Sequence, residues 1–249
     1  MKRAFQHGYY VGACYVSWLA FALVGLGLNV ACAPLLLLPR RAGRGARVRR
    51  AIRRLFDLWR RWFHACGVLR IAWRGFEAPL ARGTVYIANH PTLLDATLLL
   101  ARLPDAVCIF KPALMRNPAI GPAAIMGGYI AGENGPDLVR EVAARIAAGQ
   151  SLLIFPEGTR TATGTTLGPL KPGFALIAAR ARAPVQLIVI RASADLVPRG
   201  RPWWRLPAVL PVWMEISLDR CWAHDPARSV RQLTDEVEQR LVSVLRSTP

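Results

Sequence analysis

From Gly8 to Pro39 the chain carries no charged residue. This run of 32 residues exceeds the ~20 that one membrane-spanning helix needs and falls short of two complete spans. Pro34 confines the helix to residues 9–33, so a tilted span and a re-entrant hairpin both fit. The apolar stretch is far longer than the ~7–15 residues of a cleavable signal peptide. Arg40, Arg41, Arg44, Arg47, Arg49 and Arg50 follow it, against Lys2 and Arg3 in front. That asymmetry places the Arg-rich flank, and the chain after it, on the cytoplasmic face.

The net charge of +18 gathers at the same end: residues 1–66 hold 12 of the 33 Lys and Arg but only one acidic residue, Asp57. Basic charge beside apolar sequence points to an anionic membrane surface and away from nucleic acid. Residues 47–66 read as a helix whose Val48, Ile52, Leu55, Phe56, Trp59, Trp62, Phe63 and Cys66 share an arc of about 120°. Such a helix either packs on a domain core or lies in a membrane interface. The five cysteines are scattered without Cys-x-x-Cys spacing, which suggests neither a disulfide framework nor a zinc site.

Beyond residue 66 apolar strands alternate with helices. Strands are predicted at Leu69–Trp73, Thr84–Ala88, Ala106–Phe110, Gly128–Ala131, Ser151–Phe155, Val185–Ile190 and Val212–Leu218. Helices are predicted at 93–102, Pro136–Ala148, Gly173–Ala181 and Ser229–Leu245. This is an α/β layer pattern, with an N-terminal anchor and basic helix over 1–66 and a single αβ domain over 67–249.

Asn89-His90-Pro91-Thr92-Leu93-Leu94-Asp95 joins a predicted strand to a predicted helix, where open α/β sheets place their ligands. His90 and Asp95 cannot meet if both are helical. They meet if Pro91 keeps His90 in the turn, folded back over the first helical turn. A carboxylate on one imidazole nitrogen then makes the other a better base. Thr92-x-x-Asp95 also fits a plain capping box. The second polar turn, Phe155-Pro156-Glu157-Gly158-Thr159-Arg160, follows another apolar strand. Gly158 permits close backbone approach or a positive φ, and Arg160 is a phosphate-binding type of residue. By itself the turn is also an ordinary surface turn.

Together the two turns resemble the glycerolipid acyltransferase family, whose type member makes phosphatidic acid from lysophosphatidic acid. Lys111-Pro-Ala-Leu114-Met-Arg-Asn-Pro118-Ala-Ile-Gly121 resembles its intermediate block, and Ala183-Pro184-Val185 its fourth; the resemblance spans residues 68–215. It implies an αβ domain with a mixed sheet flanked by helices, preceded by a membrane-binding helical segment. It also implies His90 as general base oriented by Asp95. Glu157, Gly158 and Thr159 would then help bind the acceptor, with Arg160 and Lys111 on its phosphate. The donor is an acyl-CoA or acyl-carrier-protein thioester, the acceptor a lysophospholipid or related lipid, and no metal or other cofactor is called for. No Gly-x-Ser-x-Gly occurs, in keeping with direct attack on the thioester.

One departure bears on the substrate. An ungapped count puts Asn134 where the family carries a phosphate-binding Arg, which predicts weak binding of a phosphate monoester. A phosphodiester, lipoamino acid or neutral lipid hydroxyl then fits better. Pro202-Trp203-Trp204-Arg205 fits either a second membrane contact or a pair of indoles packed on the domain's edge. The reading from another class is a catalytically idle lipid-binding or scaffold protein, which would tolerate loss of His90.

Overall fold

The uncharged run forms one long helix, α1 (Lys2–Cys32), closed by a 3-10 turn at Pro34–Leu37. The computed structural model describes residues 2–39, 43–132, 135–162, 164–193, 206–207 and 209–247. Asn134 and the Pro202–Arg205 stretch lie outside them. The basic amphipathic segment is α2 (Arg44–Ala65). There follow β1 (Leu69–Arg74), β2 (Val85–Ala88), α3 (Asp95–Arg102), β3 (Ala106–Phe110), α4 (Pro112–Met115), α5 (Gly121–Gly127) and β4 (Ile130–Ala131). The chain continues through α6 (Gly135–Ala147), β5 (Ser151–Ile154), α7 (Gly173–Ala181), β6 (Val185–Ala192), β7 (Val212–Trp222) and α8 (Val230–Arg246).

The seven strands form one sheet in the order β1-β7-β6-β2-β5-β3-β4. Neighbours from β6 through β4 pair parallel. β7 runs antiparallel to β6 and parallel to β1, so the sheet is mixed. All four residues of β2 are buried, as a strand covered on both faces must be. Tyr86 and Ala88 join a core that includes Trp59, Phe63, Leu98 and Leu99, under α2 and α3. Val85 and Ile87 join one that includes Ile146, Phe174, Ile177 and Val237, under α6, α7 and α8. The alternation of side chains along a strand thus divides the domain into three layers.

Parallel order puts the exits of β6, β2, β5, β3 and β4 at one end of the sheet. β5 lies between β2 and β3, so the His90 turn, the Glu157 turn and Lys111 follow three adjacent strands.

The strand predicted at Gly128–Ala131 shrinks to Ile130–Ala131. Gly128 instead ends α5 in the left-handed region, φ +76°, with its N–H on Ala124 and Ile125 carbonyls. α4 and α5, unforeseen in the sequence, hold only four and seven residues, too short to show helical periodicity. β7 runs on past Leu218 to Trp222.

α1 does not stand alone. Tyr9 Oη donates to Cys66 O at 3.2 Å, and near mid-helix the Trp59 and Trp62 indole N–H groups donate to Ser17 O and Oγ at 3.1 and 2.9 Å. At the far end Arg44 reaches Leu35 O at 3.3 Å. These contacts run α1 antiparallel along the whole of α2. Asn29 fastens the hairpin to α5, donating to Ala119 O at 2.7 Å and accepting from Ala123 N–H at 2.9 Å. Trp59 and Phe63, buried against α1, share a core with the sheet, so α1 and α2 pack onto the domain behind them.

Candidate active site

β2 ends at Ala88, and Asn89 fixes where the chain goes next. Its side-chain amide donates to Ile190 O and accepts from Ile190 N–H, both at 2.8 Å. A buried amide thereby continues the β2–β6 ladder by one side chain, and His90 leaves the sheet from a rigid point. Pro91 follows, and α3 begins only at Asp95.

The His90 ring lies flat on Phe155, centroids 4.0 Å apart and planes 18° from parallel. Its Nδ1 is 2.9 Å from Asp95 Oδ2. Asp95, fully buried, also accepts Thr92 N–H at 2.7 Å on Oδ2 and the Thr92 hydroxyl at 2.6 Å on Oδ1. Capping and histidine contact therefore coexist: one carboxylate closes the first turn of α3 and holds the imidazole. Facing a carboxylate, Nδ1 carries the proton, and Nε2 presents a lone pair. Nε2 has no hydrogen bond among the described residues, and the side chain is 16% exposed.

The Glu157 turn grips His90 from the adjacent strand exit. Glu157 Oε1 accepts His90 N–H at 3.0 Å and the Thr161 hydroxyl at 2.9 Å. Its Oε2 accepts Gly168 N–H at 2.8 Å, and Thr161 N–H returns to His90 O at 2.8 Å. Glu157 is 6% exposed with both oxygens committed inside the protein. In this geometry the side chain braces the His90 turn.

Gly158 is exposed, at φ +69°, where a side chain is strained. Thr159 and Arg160 are half-buried in the same turn. Lys111 is exposed at the β3 exit, ahead of α4. His90, Asp95, Glu157 and Gly158 thus belong to one hydrogen-bonded assembly, while Lys111 adjoins it through strand order. Asn89, Phe155, Thr161, Gly168 and Lys171 complete the site and were not singled out for it by sequence. Lys171 had one signal: it is one of three Lys among 33 basic residues.

A cavity of about 180 Å³ opens at the opposite end of the sheet, between α2 and the segment entering β3. Arg49 and Arg82 meet Asp105 there at 2.7 and 2.9 Å. Arg49 also donates to Gly127 O, and Arg53 to the Ala101 and Arg102 carbonyls. These carbonyls end α5 and α3, where cations are favoured. The arginines clasp α2 to two helix ends and stand apart from the His90 chemistry.

A histidine held by a carboxylate at a parallel-strand exit, beside a braced Pro-Glu-Gly turn, defines a candidate acid–base site on an αβα scaffold. The acyltransferase family model matches residues 70–191, which span both turns and Lys111. The 1-acyl-sn-glycerol-3-phosphate acyltransferase BAT2, chloroplastic, of Brassica napus is 32% identical over 121 residues, 47% of this chain and 35% of that protein. The 1-acyl-sn-glycerol-3-phosphate acyltransferase of Cocos nucifera is 35% identical over 116 residues, 44% of this chain and 37% of that one. The chain thus spans little more than a third of the length of these curated relatives. In fold it matches the crystal structure of the 1-acyl-sn-glycerophosphate (LPA) acyltransferase PlsC from Thermotoga maritima, with a TM-score of 0.73 and 19% identity over 98% of this chain and 96% of that one. Residues 70–191, just under half of the chain, are thus similar to the acyltransferase family.

Proposed function

We propose that this protein is a membrane-bound O-acyltransferase that moves a fatty acyl group from an acyl-CoA or acyl-carrier-protein thioester to the hydroxyl of a lysophospholipid, with His90 as general base. The observation that carries the reading is the 2.9 Å contact of His90 Nδ1 with buried Asp95, with Nε2 free of hydrogen bonds among the described residues. The acceptor hydroxyl gives its proton to Nε2 as its oxygen attacks the thioester carbonyl. Asp95 stabilises the imidazolium so formed. The tetrahedral intermediate expels the thiolate, which takes the proton back from Nε2, so the histidine ends as it began. Stacking on Phe155 and the Glu157 brace hold the ring in place, and positioning of this kind contributes to rate.

The same proposal places the protein on a membrane without crossing it. Val16, Leu19, Leu23, Leu26 and Val30 of α1 are exposed, as are Leu58 and Trp62 of α2. That apolar surface fits the acyl boundary of a bilayer. A spanning α1 would carry α2 with it, because the two are joined along their length. Those of α2's arginines carried to the bilayer centre would then cost about 2.5–3.5 kcal/mol each. A hairpin lying in one leaflet avoids this, with the exposed Arg47, Arg50 and Arg54 toward anionic headgroups on the cytoplasmic face.

The test is acyl transfer by the full-length protein in vesicles, comparing wild type with His90→Ala. A general base contributes about 10²–10⁴-fold, so a loss of that size with unchanged folding and vesicle binding is expected. Near-normal turnover without His90 would remove the mechanism and leave the idle-scaffold reading.

A further inference from the structure

Lys171 lies across the turn that braces the histidine. A Cβ built on Gly158 would sit 2.9 Å from Lys171 Nζ, 3.1 Å from Cε and 3.3 Å from Cδ. The outer half of the lysine side chain therefore occupies the space that any other residue at 158 would fill. Two ties hold the lysine's segment there. Lys171 N–H donates to Pro156 O at 2.8 Å, and Gly168 N–H donates to Glu157 Oε2 at 2.8 Å. A Cβ on Gly168 would come within 3.0 Å of that same oxygen, so the second tie also depends on a glycine.

The ammonium is exposed and has neither ion pair nor hydrogen bond among the described residues. Glu157, the carboxylate nearest in the turn, has both oxygens taken by His90, Thr161 and Gly168. Lys171 also stands immediately before α7, whose first backbone N–H groups point out of the helix end and favour an anion. A cation is therefore held one residue beyond the brace of His90, with its charge unneutralised among the described residues. An ammonium with three donors meets a phosphate as a compact point charge.

We propose that Lys171 determines acceptor specificity, its ammonium binding the anionic phosphate of a lysophospholipid whose hydroxyl is presented to His90. This rests on the acyl-transfer reading above and adds to it a residue that reads the acceptor's headgroup. It also answers the deficit read at Asn134. Counting along the sequence leaves Arg160 and Lys111 as the cations for a phosphate monoester, and the fold adds a third from 13 residues beyond Gly158.

The experiment uses full-length protein in vesicles and two acceptors with the same acyl chain and hydroxyl, 1-acylglycerol-3-phosphate and 1-acylglycerol. Lys171→Met should lower kcat/KM for the phosphorylated acceptor about 10- to 100-fold, chiefly through KM, as loss of a charge-assisted contact does. The neutral acceptor should be unaffected, and Lys171→Arg should restore most of the preference. Free glycerol-3-phosphate gives a second readout. It should compete with the phosphorylated acceptor in wild type, with its inhibition constant raised by a similar factor in Lys171→Met. Equal losses on both acceptors, or none, overturn the proposal. If wild type acylates neither acceptor, or does so without His90, the acyl-transfer reading fails and the Lys171 assignment falls with it. If transfer is His90-dependent and Lys171→Met leaves the phosphate preference and the inhibition unchanged, the Lys171 assignment alone falls.

Discussion

The Oε1 oxygen of Glu157 accepts the backbone N–H of His90 at 3.0 Å, 67 residues away in sequence. The ring of the same histidine is held by a different carboxylate, Asp95, at 2.9 Å. One acid fixes where the residue is, the other which way its proton points. Both are buried, and each also ties down a threonine, Asp95 to Thr92 and Glu157 to Thr161. The division makes the two separable by mutation.

Asp95→Asn removes the charge while keeping the shape. Oδ2 serves both Nδ1 and the Thr92 N–H, so the amide keeps its oxygen there and turns its N–H₂ to the Thr92 hydroxyl, a group that can rotate to accept. The tautomer survives, and what is lost is the negative charge that stabilises the imidazolium. Activity should therefore fall, by less than the ~10²–10⁴-fold that loss of the base itself costs, with the fold retained on circular dichroism. Asp95→Ala should in addition lower the melting temperature, since it leaves the buried Thr92 N–H unpaired at a cost of about 1–3 kcal/mol. Full activity in Asp95→Asn would mean that the carboxylate serves the helix start alone.

Glu157→Gln separates bracing from binding. The glutamine offers one acceptor oxygen where the glutamate offers two, so its N–H₂ must face either Gly168 N–H or the His90 side of the turn. A buried donor meeting a donor costs about 1–3 kcal/mol. The expected result is a lower melting temperature and a lower kcat, with little change in the acceptor KM. An altered KM at unchanged stability would return Glu157 to the acceptor.

How much of this could be read beforehand depended on whether a residue's partner was local. The His90–Asp95 contact spans five residues and one proline, so the turn could be deduced from the dipeptide and the spacing. The strand exits were legible because β2 and β5 are short apolar runs ended by polar turns. The bracing by Glu157 was not, since a carboxylate in a Pro-Glu-Gly turn gives no sign in sequence of being 6% exposed. Lys171 was hidden for a related reason: its contact with Gly158 is made through a loop and depends on a positive φ. The seven residues of α5 begin Gly-Pro and end in glycine, a composition that reads as loop.

The α1–α2 hairpin sets the last prediction and alters how it must be tested. Cutting at residue 39 would uncover Trp59 and Phe63, 6% and 1% exposed, and leave the Trp59 indole N–H without Ser17. Losing the cover of two aromatics costs several kcal/mol, at about 25 cal/mol per Å² of apolar surface, so a truncated chain reports on folding more than on attachment. The outer face of α1 can be altered without touching that packing. Leu19→Gln, Leu23→Gln and Leu26→Gln together change side chains that are 60%, 60% and 47% exposed, and the melting temperature in detergent should hold. In flotation with anionic vesicles the triple variant should bind more weakly than wild type and detach as salt is raised, because the arginines of α2 then carry the attachment and their attraction is screened. A hairpin in one leaflet depends on that apolar face and responds in this way. A helix that crosses the bilayer stays with the vesicles at high salt despite three glutamines, and salt-resistant flotation of the triple variant would overturn the one-leaflet arrangement.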